Sequence, residues 1–204
     1  MIKKHFISLC KGYLHYMRWL GKGAIAWSGM ALMAWFIASV NGKLLVVSPT
    51  PSLENKVFLI ERLDSDLARL HFQHLKGQVL AVCLEDKQIQ FAEQNNFNTS
   101  DNIAARWLGC DKGAWIKRVA AVGGDIVTIN NGMITVNGAP ISVIPKMESD
   151  GEIYSVYAGE FEEGTFHLNE TDVFLVGDHN LSFDSRYVGL FDLNQLKGRV
   201  THAL

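Results

Sequence analysis

Residues 23–40 form a continuous apolar stretch without a single charged side chain. A helix that spans the hydrocarbon core of a bilayer needs about 20 such residues, and the stretch approaches this length if it extends to Asn41. Trp27 and Trp35 would then lie toward the two interfaces, where tryptophan is enriched. The sequence therefore predicts one transmembrane helix over residues 23–41 and leaves residues 44–204 for a separate globular domain.

The charges that flank this stretch predict its orientation. Residues 1–22 contain no acidic residue, and their basic residues are Lys3, Lys4, Lys11, Arg18 and Lys22. The positive-inside rule therefore places residues 1–22 in the cytoplasm and residues 44–204 on the other side of the membrane. A cleaved signal peptide is the alternative, but its apolar region would be unusually long and the small-residue pattern at residues 37–40 is poor.

Composition narrows the classes of function. The chain has 204 residues, 48% of them hydrophobic, and a formal net charge of −2. A nucleic-acid-binding protein usually carries a basic excess, so we expect no nucleic-acid partner. His71 and His74 form an i, i+3 pair, but no nearby cysteine or carboxylate set completes a metal site. We therefore expect neither a metal nor another cofactor.

The exported part is predicted to be mainly β, because its apolar residues alternate with polar ones or occur in short runs. The predicted strands are residues 56–60, 78–82, 115–122, 125–129, 133–136, 165–168 and 173–176. Asn131-Gly132 lies between two of them and is a strong signal for a hairpin turn. Helices are predicted over residues 65–74, 86–95 and 102–108. The pattern favours one domain built from closed or coiled antiparallel sheets.

Two of the three cysteines are candidates for a disulfide. In the predicted orientation Cys10 is cytoplasmic and reduced, whereas Cys83 and Cys110 lie outside, where disulfides persist. A bond between Cys83 and Cys110 would stabilise the fold by about 3 to 4 kcal/mol in the chain-entropy model. Two buried free thiols remain the alternative.

Ser48 and Lys117 are the candidates for chemistry. Ser48 follows the membrane segment, and Pro49 and Pro51 stiffen its surroundings, although a proline-rich stalk would have the same composition. Lys117 lies in a predicted strand with apolar neighbours, so it either faces solvent or is buried with a lowered pKa. A neutral lysine can act as the base that activates a serine hydroxyl.

A polar loop after the last predicted strand supplies further candidates. Ser182 can hydrogen-bond an amine, and Asp184 and Arg186 can form an ion pair. A hydrogen-bonded loop with only a structural role would have the same residues.

Four segments in order resemble the membrane-anchored serine/lysine peptidases of the signal peptidase I family. The family's Ser-x-x-Pro-Thr-Leu resembles residues 48–53, its Gly-Asp-x-Val-x-Val resembles residues 77–82, its Lys-Arg strand and Gly-Asp resemble residues 117–118 and 124–125, and its Ser-x-Asp-Ser-Arg-Tyr-x-Gly resembles residues 182–189. Ser52 replaces the threonine of the first motif, and Gln78 replaces the aspartate of the second.

This resemblance implies a coiled antiparallel β-sheet domain and assigns roles to the candidates. It implies that Ser48 is the nucleophile, Lys117 the base and Ser182 the residue that orients the lysine, while Asp184 and Arg186 hold the loop. Ser52 is the rival nucleophile. Val46 replaces a serine that helps to hold the oxyanion in housekeeping relatives, so the backbone N–H of Ser48 is the donor expected for that role.

The chain is most similar to the TraF-type branch, the conjugative-transfer peptidases that mature plasmid pilin subunits. Ser-Phe-Asp-Ser-Arg-Tyr at residues 182–187 and the positions of Cys83 and Cys110 carry this likeness. It implies a single-pass protein of the bacterial inner membrane with a periplasmic peptidase domain. Its expected partners are a pilin precursor or another exported preprotein, the membrane and other conjugative transfer proteins.

The resemblance leaves open whether water or the pilin's own N-terminal amine ends the acyl-enzyme, that is, hydrolysis or cyclisation. A general signal peptidase for exported proteins is the alternative enzyme. A non-catalytic anchored component of a transfer or pilus assembly is the alternative from another class.

Overall fold

A computed structural model of the chain describes residues 33, 42–48, 52–64, 71–95, 103–143, 146–149, 152–155, 163–179 and 182–204. The chain divides into two compact units, Met1–Gly42 and Lys43–Leu204. The predicted basic segment and transmembrane segment lie outside the described residues, apart from Met33. Within the described residues, no helix is both long enough and apolar enough to cross a membrane.

The second unit is mainly β, as the alternating pattern predicts. Its strands are β1 (Lys43–Val47), β2 (Val57–Arg62), β3 (Val79–Cys83), β4 (Ala114–Val122), β5 (Ile126–Asn130), β6 (Met133–Val136), β7 (Ala139–Val143), β8 (Lys146–Ser149), β9 (Glu152–Ser155), β10 (Gly164–His167), β11 (Asp172–Val176), β12 (Phe191–Asp192) and β13 (Leu196–Ala203). The described helices are α1 (Asp86–Gln94), α2 (Ile103–Leu108) and α3 (Ser185–Val188), with 3-10 turns at Phe72–Leu75 and Leu193–Gln195.

Seven strands form the main antiparallel sheet in the order β1-β2-β13-β3-β4-β11-β12. Leu80 and Val82 of β3 belong to one core cluster, whereas Ala81 between them belongs to another. Because successive side chains of a strand point to opposite faces, apolar residues are buried on both faces of this sheet. Register shifts in β13 and between β4 and β11 mark bulges, which bend strands. The mainly β, coiled antiparallel architecture is confirmed.

A smaller sheet has the order β10-β5-β6-β7, and β8 pairs with β9. The predicted hairpin turn joins β5 to β6, with Asn130 opposite Met133. Asn131 and Gly132 have φ values of 49° and 75°, as a type I′ turn requires. Asn137 and Gly138 adopt the same left-handed conformation between β6 and β7, with φ values of 51° and 82°.

Neither β1 nor β13 is among the predicted strands. Residues 44–47 pair with β2 up to Val47 opposite Val57. Strand β13 lies between β2 and β3, although Gly198 interrupts its apolar pattern. A Cβ on Gly198 would lie 2.7 Å from Ile60 Cγ2, so the glycine permits close packing. Residues 65–70 of the predicted helix 65–74 lie outside the described residues, and Phe72–Leu75 is a 3-10 turn.

Cys83 at the end of β3 and Cys110 after α2 form a disulfide with a Cα–Cα distance of 5.2 Å. The bridge closes a loop with a sequence separation of 27 residues. This loop contains α1 and α2, so the disulfide ties both helices to the main sheet.

Replacing Cys83 and Cys110 together by alanine is expected to lower the free energy of unfolding by about 3 to 4 kcal/mol, because the unfolded chain regains its loop entropy. Urea unfolding of the wild type and of the double variant measures the effect. Reductant should shift the midpoint of the wild type and leave that of the variant unchanged. Equal midpoints for the oxidised wild type and the variant would contradict this account.

Candidate active site

Lys117 lies in β4 and is buried, with only 3% of its surface exposed. Its Nζ donates a hydrogen bond to Ser182 Oγ at 2.6 Å and lies 5.6 Å from the centre of the Trp115 ring. Of the two orientations that the sequence allowed, the structure therefore has the buried one. A buried amine with a hydroxyl partner is the arrangement that a lysine base requires.

The pKa of Lys117 is lowered from 10.5 to about 8, mainly because the charged form loses its hydration on burial. The Asp184 carboxylate opposes this shift, as does that of Asp178, and the Arg186 guanidinium adds to it. A small but useful fraction of Lys117 is therefore neutral near pH 7 and can accept a proton.

Gly177, directly after β11, brings two segments close together. A Cβ at this position would lie 2.1 Å from Ser182 Oγ and 2.7 Å from the carbonyl oxygen of Ser52. Only a residue without a side chain leaves room for both neighbours. Ser182 is 3% exposed, and its N–H donates to the carbonyl of His179 at 3.0 Å. The local backbone thus fixes Ser182 against Lys117.

Asp184 and Arg186 form the predicted ion pair, and both side chains are fully buried. Arg186 Nε donates to Asp184 Oδ1 at 2.8 Å and its second guanidinium nitrogen donates to Oδ2 at 2.6 Å. Asp184 Oδ2 also accepts from the N–H of Gly177 at 2.7 Å. Arg186 donates to the carbonyl of His179 at 2.8 Å. The pair therefore holds both ends of the loop that carries Ser182.

Ser48 follows β1, and its N–H donates to the carbonyl of Lys56 at 2.7 Å. This contact occupies the N–H that was expected to hold an oxyanion, so that expectation is not met in this arrangement. Ser52 is the rival nucleophile, and its carbonyl accepts from the N–H of Asp178 at 2.7 Å. Residues 49–51 between the two serines lie outside the described residues. Ser52, four residues after Ser48, therefore lies against the loop that carries Ser182.

Asp178 joins two segments that are distant in the sequence, and its contacts were not predicted. Its carboxylate accepts from Arg118 Nε at 3.0 Å and from the N–H of Glu54 at 3.3 Å. Arg118 is adjacent to Lys117 in β4, and Glu54 lies six residues after Ser48 in the sequence. The Lys-Arg pair at residues 117–118 marked Arg118 as a residue near the site. Its partner Asp178 could not be predicted, because the two residues are 60 positions apart.

No curated protein sequence matches the chain significantly. The chain is similar to a crystal structure of a signal peptidase I from Enterococcus faecalis V583, with 17% identity over 63% of this chain and 94% of that chain and a TM-score of 0.31. A family model described as signal peptidase, peptidase S26, matches residues 17–204. Because this match spans most of the chain, the chain belongs to the signal peptidase family, peptidase S26.

Proposed function

We propose that this serine peptidase uses Ser48 as its nucleophile and Lys117 as its general base. The observation that carries the proposal is the burial of Lys117, which lowers its pKa to about 8 while Ser182 accepts its hydrogen bond. A lysine in this condition can take a proton from a serine hydroxyl near neutral pH, without histidine.

In the proposed reaction, Ser48 Oγ attacks the carbonyl carbon of the scissile peptide bond while Lys117 Nζ takes the hydroxyl proton. Lys117 then returns this proton to the leaving amine, which leaves an acyl-enzyme on Ser48. Water, activated by the neutral amine, releases the acyl group. Ser182 orients Lys117 Nζ through its hydrogen bond, and the pair of Asp184 and Arg186 holds Ser182 in place.

We further propose a pilin precursor for plasmid transfer as the substrate, cleaved at the periplasmic face of the bacterial inner membrane by a domain anchored through residues 23–41. The form of residues 182–187 and the disulfide between Cys83 and Cys110 support this TraF-type assignment. Membership of the family supports a general signal peptidase equally well. The presence of both Ser48 and Lys117 disfavours a non-catalytic assembly component.

Co-expression of the full chain with a candidate pilin precursor tests the substrate. We expect mass spectrometry to find the shortened pilin with the wild type and the uncleaved precursor with Ser48→Ala or Lys117→Ala. A product lighter by one water than the linear processed chain would indicate cyclisation. Normal maturation with either variant would contradict the serine/lysine pair, and maturation of many unrelated preproteins would favour the general peptidase.

The pH dependence of activity should follow the titration of Lys117. Because only the neutral amine acts as a base, kcat/KM is expected to rise about tenfold per pH unit below pH 8 and to level off above it. Initial rates on a peptide substrate from pH 6 to pH 10 measure this rise in kcat/KM and the pH at which it ends. A flat profile, or one that levels off near the ordinary lysine pKa of 10.5, would contradict the role of the buried amine.

A further inference from the structure

A cleft of about 560 Å³ lies beside the candidate active site. Pro140, Ile141, Ser142 and Val143 of β7 line it on one side, and Gly177 and Asp178 line it on the other. Gly177 also packs against Ser182, and Asp178 accepts a hydrogen bond from the N–H of Glu54, so residues that line the cleft contact the segments next to the proposed catalytic groups.

The edge of β7 faces this cleft. Side chains of a strand point alternately to opposite faces, so four consecutive lining residues mean that the strand presents its edge. Among the described strands, β7 pairs only with β6 and forms one edge of the smaller sheet. Its register with β6 pairs Ser142 with Ile134 and Pro140 with Thr135, which leaves Ile141 as an extra residue. Bulges of this kind re-aim side chains next to active sites.

The cleft combines exposed apolar side chains with a carboxylate. Met133, Ile141 and Val143 line it, with exposed fractions of 49%, 37% and 46%. Glu54 also lines it, whereas the charge of Asp178 is matched by the ion pair with Arg118 at 3.0 Å. The surface therefore suits an extended chain with apolar residues and a basic one.

Arg186 couples the wall of the cleft to the proposed catalytic loop. It donates to Ser142 Oγ at 3.0 Å and forms the buried ion pair with Asp184. Asp184 in turn accepts from the N–H of Gly177. Arg186 thus fixes the distance between β7 and the loop of Ser182. A substrate that contacts both would need this distance to be constant.

We propose that the edge of β7 binds an extended segment of the polypeptide substrate, outside the residues that react. The segment pairs with the edge of β7 at Ile141 and Ser142, because Pro140 has no N–H to donate and the carbonyl of Val143 already accepts from Arg186 at 3.5 Å. Its apolar side chains pack on Met133, Ile141 and Val143, and a lysine or arginine lies near Glu54. This assignment rests on the proposed peptidase function. It makes the segment that flanks the cleavage site of the substrate, the substrate flank, a determinant of specificity.

Two synthetic peptides with the same small-residue cleavage segment test the assignment. The long peptide carries a flank of alternating valines with one lysine, on either side in separate versions, and the short peptide lacks it. We compare the kcat/KM for the long peptide, divided by that for the short one, between variants. In Ile141→Thr/Val143→Thr this ratio should be about tenfold lower than in the wild type, because apolar contact with the flank is lost. Ile126→Thr is the matched control, because Ile126 is also 37% exposed but lies in β5, and it should keep the ratio.

Glu54→Gln tests the charge, since the backbone contact of Glu54 with Asp178 does not need its carboxylate. The wild type should prefer a lysine flank over a glutamate flank, and Glu54→Gln should reduce that preference several-fold. Equal ratios for Ile141→Thr/Val143→Thr and Ile126→Thr would overturn the proposal. A dimer that Ile141→Thr/Val143→Thr abolishes, measured by light scattering, would identify a second copy as the occupant and would also overturn it.

Binding of the labelled long peptide to the Ser48→Ala chain separates this proposal from the peptidase function. The affinity should fall about tenfold when Ile141→Thr/Val143→Thr is added. If the wild type cleaves neither peptide but this pattern holds, the peptidase proposal fails and the peptide cleft stands. If the wild type cleaves both peptides and the affinity does not change, the cleft proposal fails alone.

Discussion

Ser48→Ala and Lys117→Ala are each expected to lower kcat/KM by at least about 10³-fold, because one removes the proposed nucleophile and the other the proposed base. The double variant should lose no more than the single ones, since the two groups act as a unit. Initial rates of the purified proteins on a peptide substrate measure this. Additive losses, or a Lys117→Ala enzyme with near wild-type activity, would contradict the pairing.

Lys117→Met separates chemistry from folding, because methionine keeps the length of the side chain and removes the amine. The folded-state pKa of Lys117 is lowered to about 8 from 10.5, so between these values the unfolded chain binds more protons than the folded one. The free energy of unfolding of the wild type should therefore rise from pH 8 to pH 10.5 relative to Lys117→Met. An inactive variant with undiminished stability at pH 7 is the expected result, and a variant that fails to fold would contradict it.

Gly177→Ala is expected to lower kcat by about 10²-fold, because its methyl group would overlap Ser182 and the carbonyl of Ser52. Ser182 must then move away from Lys117 Nζ, or Ser52 must shift. Displacement of either group by about 1 Å is enough for a loss of this size. Steady-state kinetics give kcat and KM separately, and the loss should lie mainly in kcat.

The Ser182→Ala variant shows whether Gly177→Ala lowers activity by displacing Ser182 or by displacing Ser52. If the added methyl works through Ser182, the double variant Gly177→Ala/Ser182→Ala should be no slower than the slower single variant. Fully additive losses would mean that the effect travels through Ser52 instead. Wild-type activity of Gly177→Ala would contradict the close packing at this position.

Local signals in the sequence predicted the elements whose geometry depends on neighbours in the chain. Asn131-Gly132 specifies its hairpin because both residues accept a positive φ. Strand β4 was predicted from its apolar run, and the lysine inside that run marked the candidate site. Strands β1 and β13 were not predicted, because their place in the sheet depends on partners far along the chain. Lys43 pairs with Glu61 and Leu196 pairs with Val82.

In the candidate site, too, contacts between residues close in the sequence could be predicted and contacts between distant residues could not. Asp184 and Arg186 are two residues apart, so their ion pair could be predicted from the sequence. The contact of Asp178 with the N–H of Glu54 spans 124 residues, and the contact of Arg186 with Ser142 spans 44. Such contacts depend on how strands are ordered, which the pattern of a single sequence does not specify.

The position of the acyl group on the protein during turnover identifies the nucleophile. The full chain is mixed with an activated ester of a small-residue peptide, quenched in acid, digested and analysed by mass spectrometry. We expect an acyl group on Ser48, formed at a rate that rises with pH up to about 8 and absent in Lys117→Met. An acyl group on Ser52, or acylation of Ser48 at an unchanged rate in Lys117→Met, would contradict it.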